Sequence, residues 1–308
     1  MKIEWVFKKK YEQNLFPKTL GHYVFVKEIE KPFKSNNYFH AVYKSRDGKY
    51  FFAKLCKKKF GYEHYAFKNE ISVYRVLYKS YRQALKSIPI NLVHIKIPKF
   101  IGSYENNKTL IYLSEFVGGQ PVKFKGEEGF YTYQDLLNFL TIIDKYITPK
   151  DRKMIPRRTS IQVLLIYSYV LLKAMLENPP KTLTLLVGAY HFTCSISHFL
   201  RNDTVSFVHR DLHAGNVIRN KAGIYIVDFQ LSVLTNRIHE YTHTLRVEFD
   251  KAFTSKMIES VQSSSDIKLF RSSVIYSMTH ALSARKIPKN SAVNWNNFLT
   301  QAVRQDLL

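Results

Sequence analysis

The chain has 308 residues, 45% hydrophobic and 23% charged, a globular composition that fits two modest lobes or one large domain and excludes a disordered chain. Its formal net charge is +23 and its pI near 9.8; such a surplus points to anionic partners or, with no partner implied, to a lysine-rich proteome. Two cysteines, Cys56 and Cys194, form no metal-spaced pair, which excludes a disulfide-stapled scaffold and fits a reducing compartment.

The N-terminal "MKIEWVFKKK" has no apolar core and reads as no signal peptide. The runs Lys8–Lys10 and Lys57–Lys59 read as solvated faces. Strands are predicted over His22–Ile29 and Tyr38–Lys44, with "SRDG" (Ser45–Gly48) as a hairpin turn into "KYFFAKL". Tyr62–Leu85 lacks Pro and Gly and repeats apolar residues at helical spacing, so a helix is expected. Two more strands, "IPKFIGSY" and "KTLIYLSEFV", flank an "ENN" turn. "GGQP" (Gly118–Pro121) is then a break and an interlobe linker.

Beyond it the pattern turns helical: "YQDLLNFLTIIDKYI", "SIQVLLIYSYVLLKAML", and later Leu269–Leu282. The uncharged stretch Thr182–Leu200 nearly has the length of a membrane span, but its two histidines and its hydroxyls read as a buried helix. Among these helices lies one β-like insert, "VHRDLHAGNVIRNKAGIYIVDFQLSV". In it Asp211 and Asn216 share a loop, "KAG" turns the chain, and the return strand brings Asp228 beside the loop's far end. Three oxygen-bearing side chains at one end of a hairpin suit magnesium, a cation that takes oxygen ligands and accompanies substrate phosphates.

His209-Arg210-Asp211 with Asn216, then Asp228-Phe229, resembles the catalytic loop and metal-binding motif of the protein-kinase-like superfamily. That resemblance implies an α+β, bilobal fold, with a β-rich N-lobe over 1–117 and a mainly helical C-lobe over 118–308 that carries the catalytic loop 207–230. It implies ATP and Mg as cofactors and assigns roles. Asp211 is the catalytic base, and Asn216 and Asp228 hold the metal. Lys54 in "FFAKL" binds phosphate and Glu70 positions it. The backbone of Glu115 and Val117 meets adenine.

"DLHAGN" resembles the Asp-Leu-His-Pro-Gly-Asn of aminoglycoside and choline kinase-type phosphotransferases, and lipopolysaccharide-core sugar kinases belong to the same broad superfamily. The expected activity is therefore transfer of the γ-phosphate of ATP to a hydroxyl of a small molecule or glycan, an anionic acceptor included. The glycine-rich loop is replaced: Ser35, Asn37 and His40 stand where its glycines belong. Gln230 follows Asp228-Phe229 in place of Gly, and no Ala-Pro-Glu follows. Arg210 supports an alternative, an atypical Ser/Thr protein kinase with Thr235, Thr242 or Thr244 as modification sites. A nucleotide-binding pseudokinase is the other. A cytoplasmic chain is expected, with no nucleic-acid partner and no transmembrane span; peripheral membrane contact stays open.

Overall fold

The structure, a computed structural model, describes residues 15–29, 38–57, 62–106, 109–194, 205–245 and 250–262, with 270, 272–276 and 279. In chain order the strands are β1 (Thr19–Leu20), β2 (Tyr23–Ile29), β3 (Tyr38–Lys44), β4 (Tyr50–Lys57), β5 (Ile95–Lys96) and β6 (Phe100–Glu105). Then come β7 (Thr109–Glu115), β8 (Gln120–Pro121), β9 (Ser206–Val208), β10 (Val217–Asn220), β11 (Gly223–Ile226) and β12 (Val233–Thr235). The helices are α1 (Tyr62–Ala84), α2 (Gly126–Lys145), α3 (Pro149–Arg152), α4 (Ser160–Glu177), α5 (Thr182–Cys194), α6 (Ile238–Leu245) and α7 (Lys251–Gln262). They divide between two units, Met1–Phe67 with Pro98–Val117, and Lys68–Ile97 with Gly118–Leu308.

The first unit carries one six-stranded sheet, β1-β2-β3-β4-β7-β6, antiparallel throughout. Alternation of side chains gives it two different faces. Ala53 and Leu55 of β4 join Leu20, Tyr43, Ile111 and Leu113 in a buried core. Lys54, between them, points the other way, in register with His40 on β3 and Tyr112 on β7. The Ser45–Gly48 turn closes as its composition predicts. The Gly48 N–H donates to the Ser45 carbonyl at 3.0 Å, and Gly48 sits at φ +86, where a β-carbon is disfavoured. The helix α1 begins in this unit and passes into the second after Phe67.

The second unit is mainly helical, with a four-stranded sheet β5-β11-β10-β8 and the pair β12-β9. Residues Gln120–Pro121 of the "GGQP" break are the short edge strand β8 on β10. On α2, buried Phe130, Tyr133, Leu137 and Leu140 recur at helical spacing. The rings of Phe130 and Tyr133 meet Phe253 of α7 edge-on, at centroid distances of 6.1 and 5.6 Å. Asp250 fixes the start of α7 by accepting from the N–H of Phe253 at 3.0 Å and ties it to α2 through the N–H of Gly126 at 2.9 Å.

One expectation is corrected. The stretch read as a buried helix is helical over Thr182–Cys194, its residues 195–200 lying outside those described. Leu185 and Phe192 are buried, but Leu183, Leu186, Val187 and Tyr190 are exposed. A helix that is apolar all round has no polar face to turn outward, so burying one stripe leaves another apolar stripe bare.

The β10-β11 hairpin depends on a close backbone approach. Gly223 pairs with Asn220 at φ +140, and the neighbouring Ile224 N–H donates to the His94 carbonyl at 2.9 Å. A β-carbon on Gly223 would run into that carbonyl oxygen. Gly223→Ala is expected to cost about 2 kcal/mol or more of folding stability, measured by urea unfolding. A loss within about 0.5 kcal/mol would show that the residue 94 backbone gives way freely.

Candidate active site

The β10-β11 hairpin and the loop before it bring three predicted side chains to one end of the second unit. Asn216, buried in a short 3-10 turn, donates its Nδ2 to the Asp211 carbonyl at 2.8 Å and to the Asp211 carboxylate at 3.0 Å. Across the hairpin base, the Val227 N–H donates to the Asn216 carbonyl at 3.0 Å, which sets Asp228 next in line. His213 accepts from the Gly215 N–H at 3.0 Å and places its Nε2 3.7 Å from the Asp211 carboxylate.

Two residues here hold backbone conformations that side chains rarely adopt: Arg210 at φ 62 and Asp228 at φ 61. His209 ties them together. Its Nδ1 accepts from the Asp211 N–H at 3.3 Å while its Nε2 lies 3.1 Å from the Val227 carbonyl. That pairing requires the neutral ring with its proton on Nε2, and burial lowers the imidazole pKa accordingly. The ring also meets Phe229 at 5.2 Å, and Phe229 meets Tyr74 of α1 at 5.2 Å, a column of three rings behind the loop.

The residue that holds this loop was not singled out in the sequence. Glu240, on α6, is fully buried, and one carboxylate oxygen accepts from the His209 N–H at 2.6 Å and the Arg210 N–H at 3.1 Å. The Leu212 N–H contributes as well. One helical turn on, Thr244 donates its hydroxyl to the Leu212 carbonyl at 3.0 Å. Burial pushes the Glu240 carboxyl up to about 7, against the pull of the three N–H groups. Its only trace in the sequence is one carboxylate in a short helix.

The other predicted residues lie outside this loop in the chain. In the first unit, buried Lys54 holds its ammonium 5.2 Å from the Tyr38 ring centroid and 6.0 Å from that of Phe67. Glu70 is fully buried on α1, three residues past Phe67, in the part of the helix that belongs to the second unit. The Glu115 N–H donates to the Lys99 carbonyl at 2.8 Å and its side chain accepts from the Lys99 N–H at 3.1 Å. Val117 is the last residue of that unit. Ser35 and Asn37 lie outside the described residues, and His40 lies within β3, beyond any turn.

Among the described residues, no three His, Cys, Asp or Glu side chains cluster as a metal site. Asn216 and Asp228 instead present hard oxygen atoms at the hairpin base. With its Nδ2 committed to Asp211, Asn216 keeps its amide oxygen for a cation, a donor pair that fits an ion completed by substrate phosphates and water.

Residues 174–265, which contain all of these second-unit loop residues, match the model of the phosphotransferase enzyme family. Solved structures match over nearly the whole chain. An aminoglycoside phosphotransferase, APH(4)-Ia, in complex with AMP-PNP and hygromycin B, aligns with TM-score 0.58 at 8% identity, covering 92% of this chain and 94% of that one. The macrolide 2'-phosphotransferase MphH from Brachybacterium faecium aligns with TM-score 0.53 at 11% identity, covering 92% of each chain. The chain has the protein-kinase-like phosphotransferase fold. An amicoumacin kinase, hAmiN, in complex with AMP-PNP and Ca2+, aligns with TM-score 0.50 at 12% identity, covering 92% and 89%. No curated protein matches the sequence.

Within this kinase-like fold, the Glu240 brace on the Asp211 loop is a titratable group. A carboxyl raised on folding holds its proton in the native chain after the unfolded chain has lost it. Its stabilisation is therefore full below the ordinary value of 4.5 and is lost as pH rises through about 7. From pH 5 to pH 8, wild type is expected to lose about 2.5 kcal/mol relative to Glu240→Gln, measured by urea unfolding of both proteins. Contributions from His209 and His239, whose pKa values burial lowers, cancel in that difference. An equal gap at both pH values would show that Glu240 does not change its proton on folding.

Proposed function

We propose that the chain is an ATP-dependent phosphotransferase acting on a hydroxyl of a small molecule or glycan. The observation that carries this reading is the Asn216 amide, locked on both the carbonyl and the carboxylate of Asp211. It fixes a carboxylate beside an oxygen donor, in a loop braced from behind by His209 and Glu240. Such preorganisation is what phosphoryl transfer asks of a protein, since positioning and charge stabilisation supply most of the rate.

In this reading the acceptor oxygen forms the new bond to the γ-phosphorus as the bond to the β–γ bridging oxygen breaks and ADP leaves. Asp211 orients the acceptor hydroxyl and takes its proton. Asn216 and Asp228 hold magnesium, which supplies charge neutralisation on the phosphates when bound. Lys54 binds phosphate, with Glu70 as its positioning partner, and the backbone of Glu115 and Val117 receives adenine.

The acceptor class is narrowed by what the carboxylates of the helical segment already do. Asp144 pairs with Arg152 at 2.7 Å, Asp151 with Lys79 at 2.7 Å, and Glu127 with Lys256 at 3.4 Å. These three carboxylates are partly neutralised by the chain's own cations and so attract a polycationic amino sugar less. A neutral or anionic acceptor suits the +23 chain better. The protein-kinase alternative loses two of its three candidate modification sites. Thr235 and Thr244 are buried, and the Thr244 hydroxyl is bonded to Leu212; the Thr242 side chain lies outside those described.

The test is transfer of labelled γ-phosphate from ATP, with magnesium, to cell extract split into small-molecule, glycolipid and protein fractions. Label is expected in a non-protein fraction. Asp211→Asn should lower the turnover number about a thousandfold while nucleotide binding persists. Full turnover by that variant would remove Asp211 as the base. Label on protein alone would support the protein-kinase alternative, and bound ATP with no label anywhere a pseudokinase. Lys54→Ala should raise the KM for ATP at least about tenfold with the fold intact by circular dichroism; unchanged kinetics would move the phosphate contact to another residue.

A further inference from the structure

The helix α4 is apolar on opposite sides. Val163, Tyr167, Val170 and Ala174 form one stripe, and it is buried. Ile161, Leu165, Tyr169, Leu172 and Leu176 form the other, and they are between 59% and 73% exposed. These five fall at intervals of four, four, three and four residues, one continuous helical face. After a 120° bend, α5 repeats the arrangement. Its Leu183 and Tyr190 are 76% and 67% exposed, with Leu186 and Val187 bare between them. A cavity of about 290 Å3 between the two helices is lined by Leu164, Leu171, Met175 and Phe192. Single exposed leucines are ordinary on a protein surface; two adjoining stripes of this kind are not.

We propose that the α4-α5 pair is a membrane-docking surface that lies in the interface of an anionic lipid bilayer. Charge decides between lipid and a second copy of the chain. From residue 150 to residue 194 the only acidic residues are Asp151 and Glu177, and Asp151 is buried against Lys79. Lys150, Lys153, Arg157, Lys173 and Lys181 flank or interrupt the apolar stripes. Face-to-face pairing of two such chains would bring like charges together, each copy at +23, whereas an anionic surface attracts the same residues.

Lys173 is exposed beside Leu172 on α4, and a lysine at such a position lays its stem on apolar surface with its ammonium at headgroup level. Tyr169 and Tyr190 suit the same depth, with an apolar ring and a polar tip. Length sets the orientation. Neither α4, of 18 residues, nor α5, of 13, is long and apolar enough to cross a bilayer as a single helix. Helices of this kind lie in the interface plane with one face sunk into the acyl boundary.

The test uses the full chain and vesicles of phosphatidylcholine, with or without about one-third phosphatidylglycerol. Wild type is expected to co-sediment with the anionic vesicles and to be released by high salt. The triple variant Leu165→Glu, Leu172→Glu, Leu183→Glu changes only exposed positions. It should keep the wild-type unfolding midpoint and bind at least about a hundredfold more weakly, as three withdrawn leucines require. A Leu172→Trp chain should show quenching by brominated acyl chains, and this decides the matter should the triple variant misfold. The proposal is overturned by failure of wild type to bind, by equal binding of the triple variant, or by no quenching of Trp. A wild-type dimer that the triple variant splits, with no vesicle binding, would equally overturn it and make the face a self-association surface. None of these readouts depends on phosphate transfer.

Discussion

A buried carboxylate collecting backbone N–H groups is the interaction on which the site depends. Glu240 accepts from His209 and Arg210, while Thr244, one turn along α6, holds the Leu212 carbonyl. A buried charge must find donors, and a loop in an unfavourable backbone conformation must find restraints; here each requirement answers the other. Arg210 at φ 62 and Asp228 at φ 61 would relax if the loop were free. They are over-determined instead by Glu240 behind, by His209 bridging to Val227, and by Asn216 bonded to Asp211. The strain is thus held on the residues flanking Asp211 and Asn216.

The same brace changes the meaning of Arg210. Beside a catalytic Asp, an arginine suggests a partner phosphorylated in trans or in cis. Here two of the three threonines that could supply one, Thr235 and Thr244, are structural. Thr244 spends its hydroxyl on the loop, and Thr235 is buried in a strand paired with β9. A loop held by a buried side chain of its own has no need of an added phosphate. This is the physical reason to read the loop as fixed by its own packing rather than assembled by modification.

Local chemistry was legible in the sequence wherever neighbours along the chain decide it. The alternation around Ala53-Lys54-Leu55 put the lysine on the face opposite the core, and β3 ends at the polar Ser45–Gly48 turn. Asn216 and Asp228 come to the same end of the β10-β11 hairpin because its two-residue turn leaves little freedom in how its ends meet. Glu240 was not legible. Its donors, at residues 209, 210 and 212, lie far before it in the chain, and nothing local separates a buried carboxylate from a solvated one. The replaced glycine loop is legible only in part: His40 belongs to β3, while Ser35 and Asn37 lie outside the described residues.

Charge and hydrophobicity are distributed in the second unit by one rule. Carboxylates are spent inward: Glu240 on the loop, Asp144 and Asp151 on Arg152 and Lys79, Asp250 on the end of α7. With 24 acidic residues against 47 basic ones, most of the positive surplus is left for the surface. Apolar residues break the usual division in the opposite sense, for α4 and α5 carry more of them than the core takes in. A basic surface interrupted by a bare apolar face is stable against aggregation only while repulsion holds copies apart. What would cover that face must therefore be apolar in one layer and anionic in the next, the layering of a lipid surface.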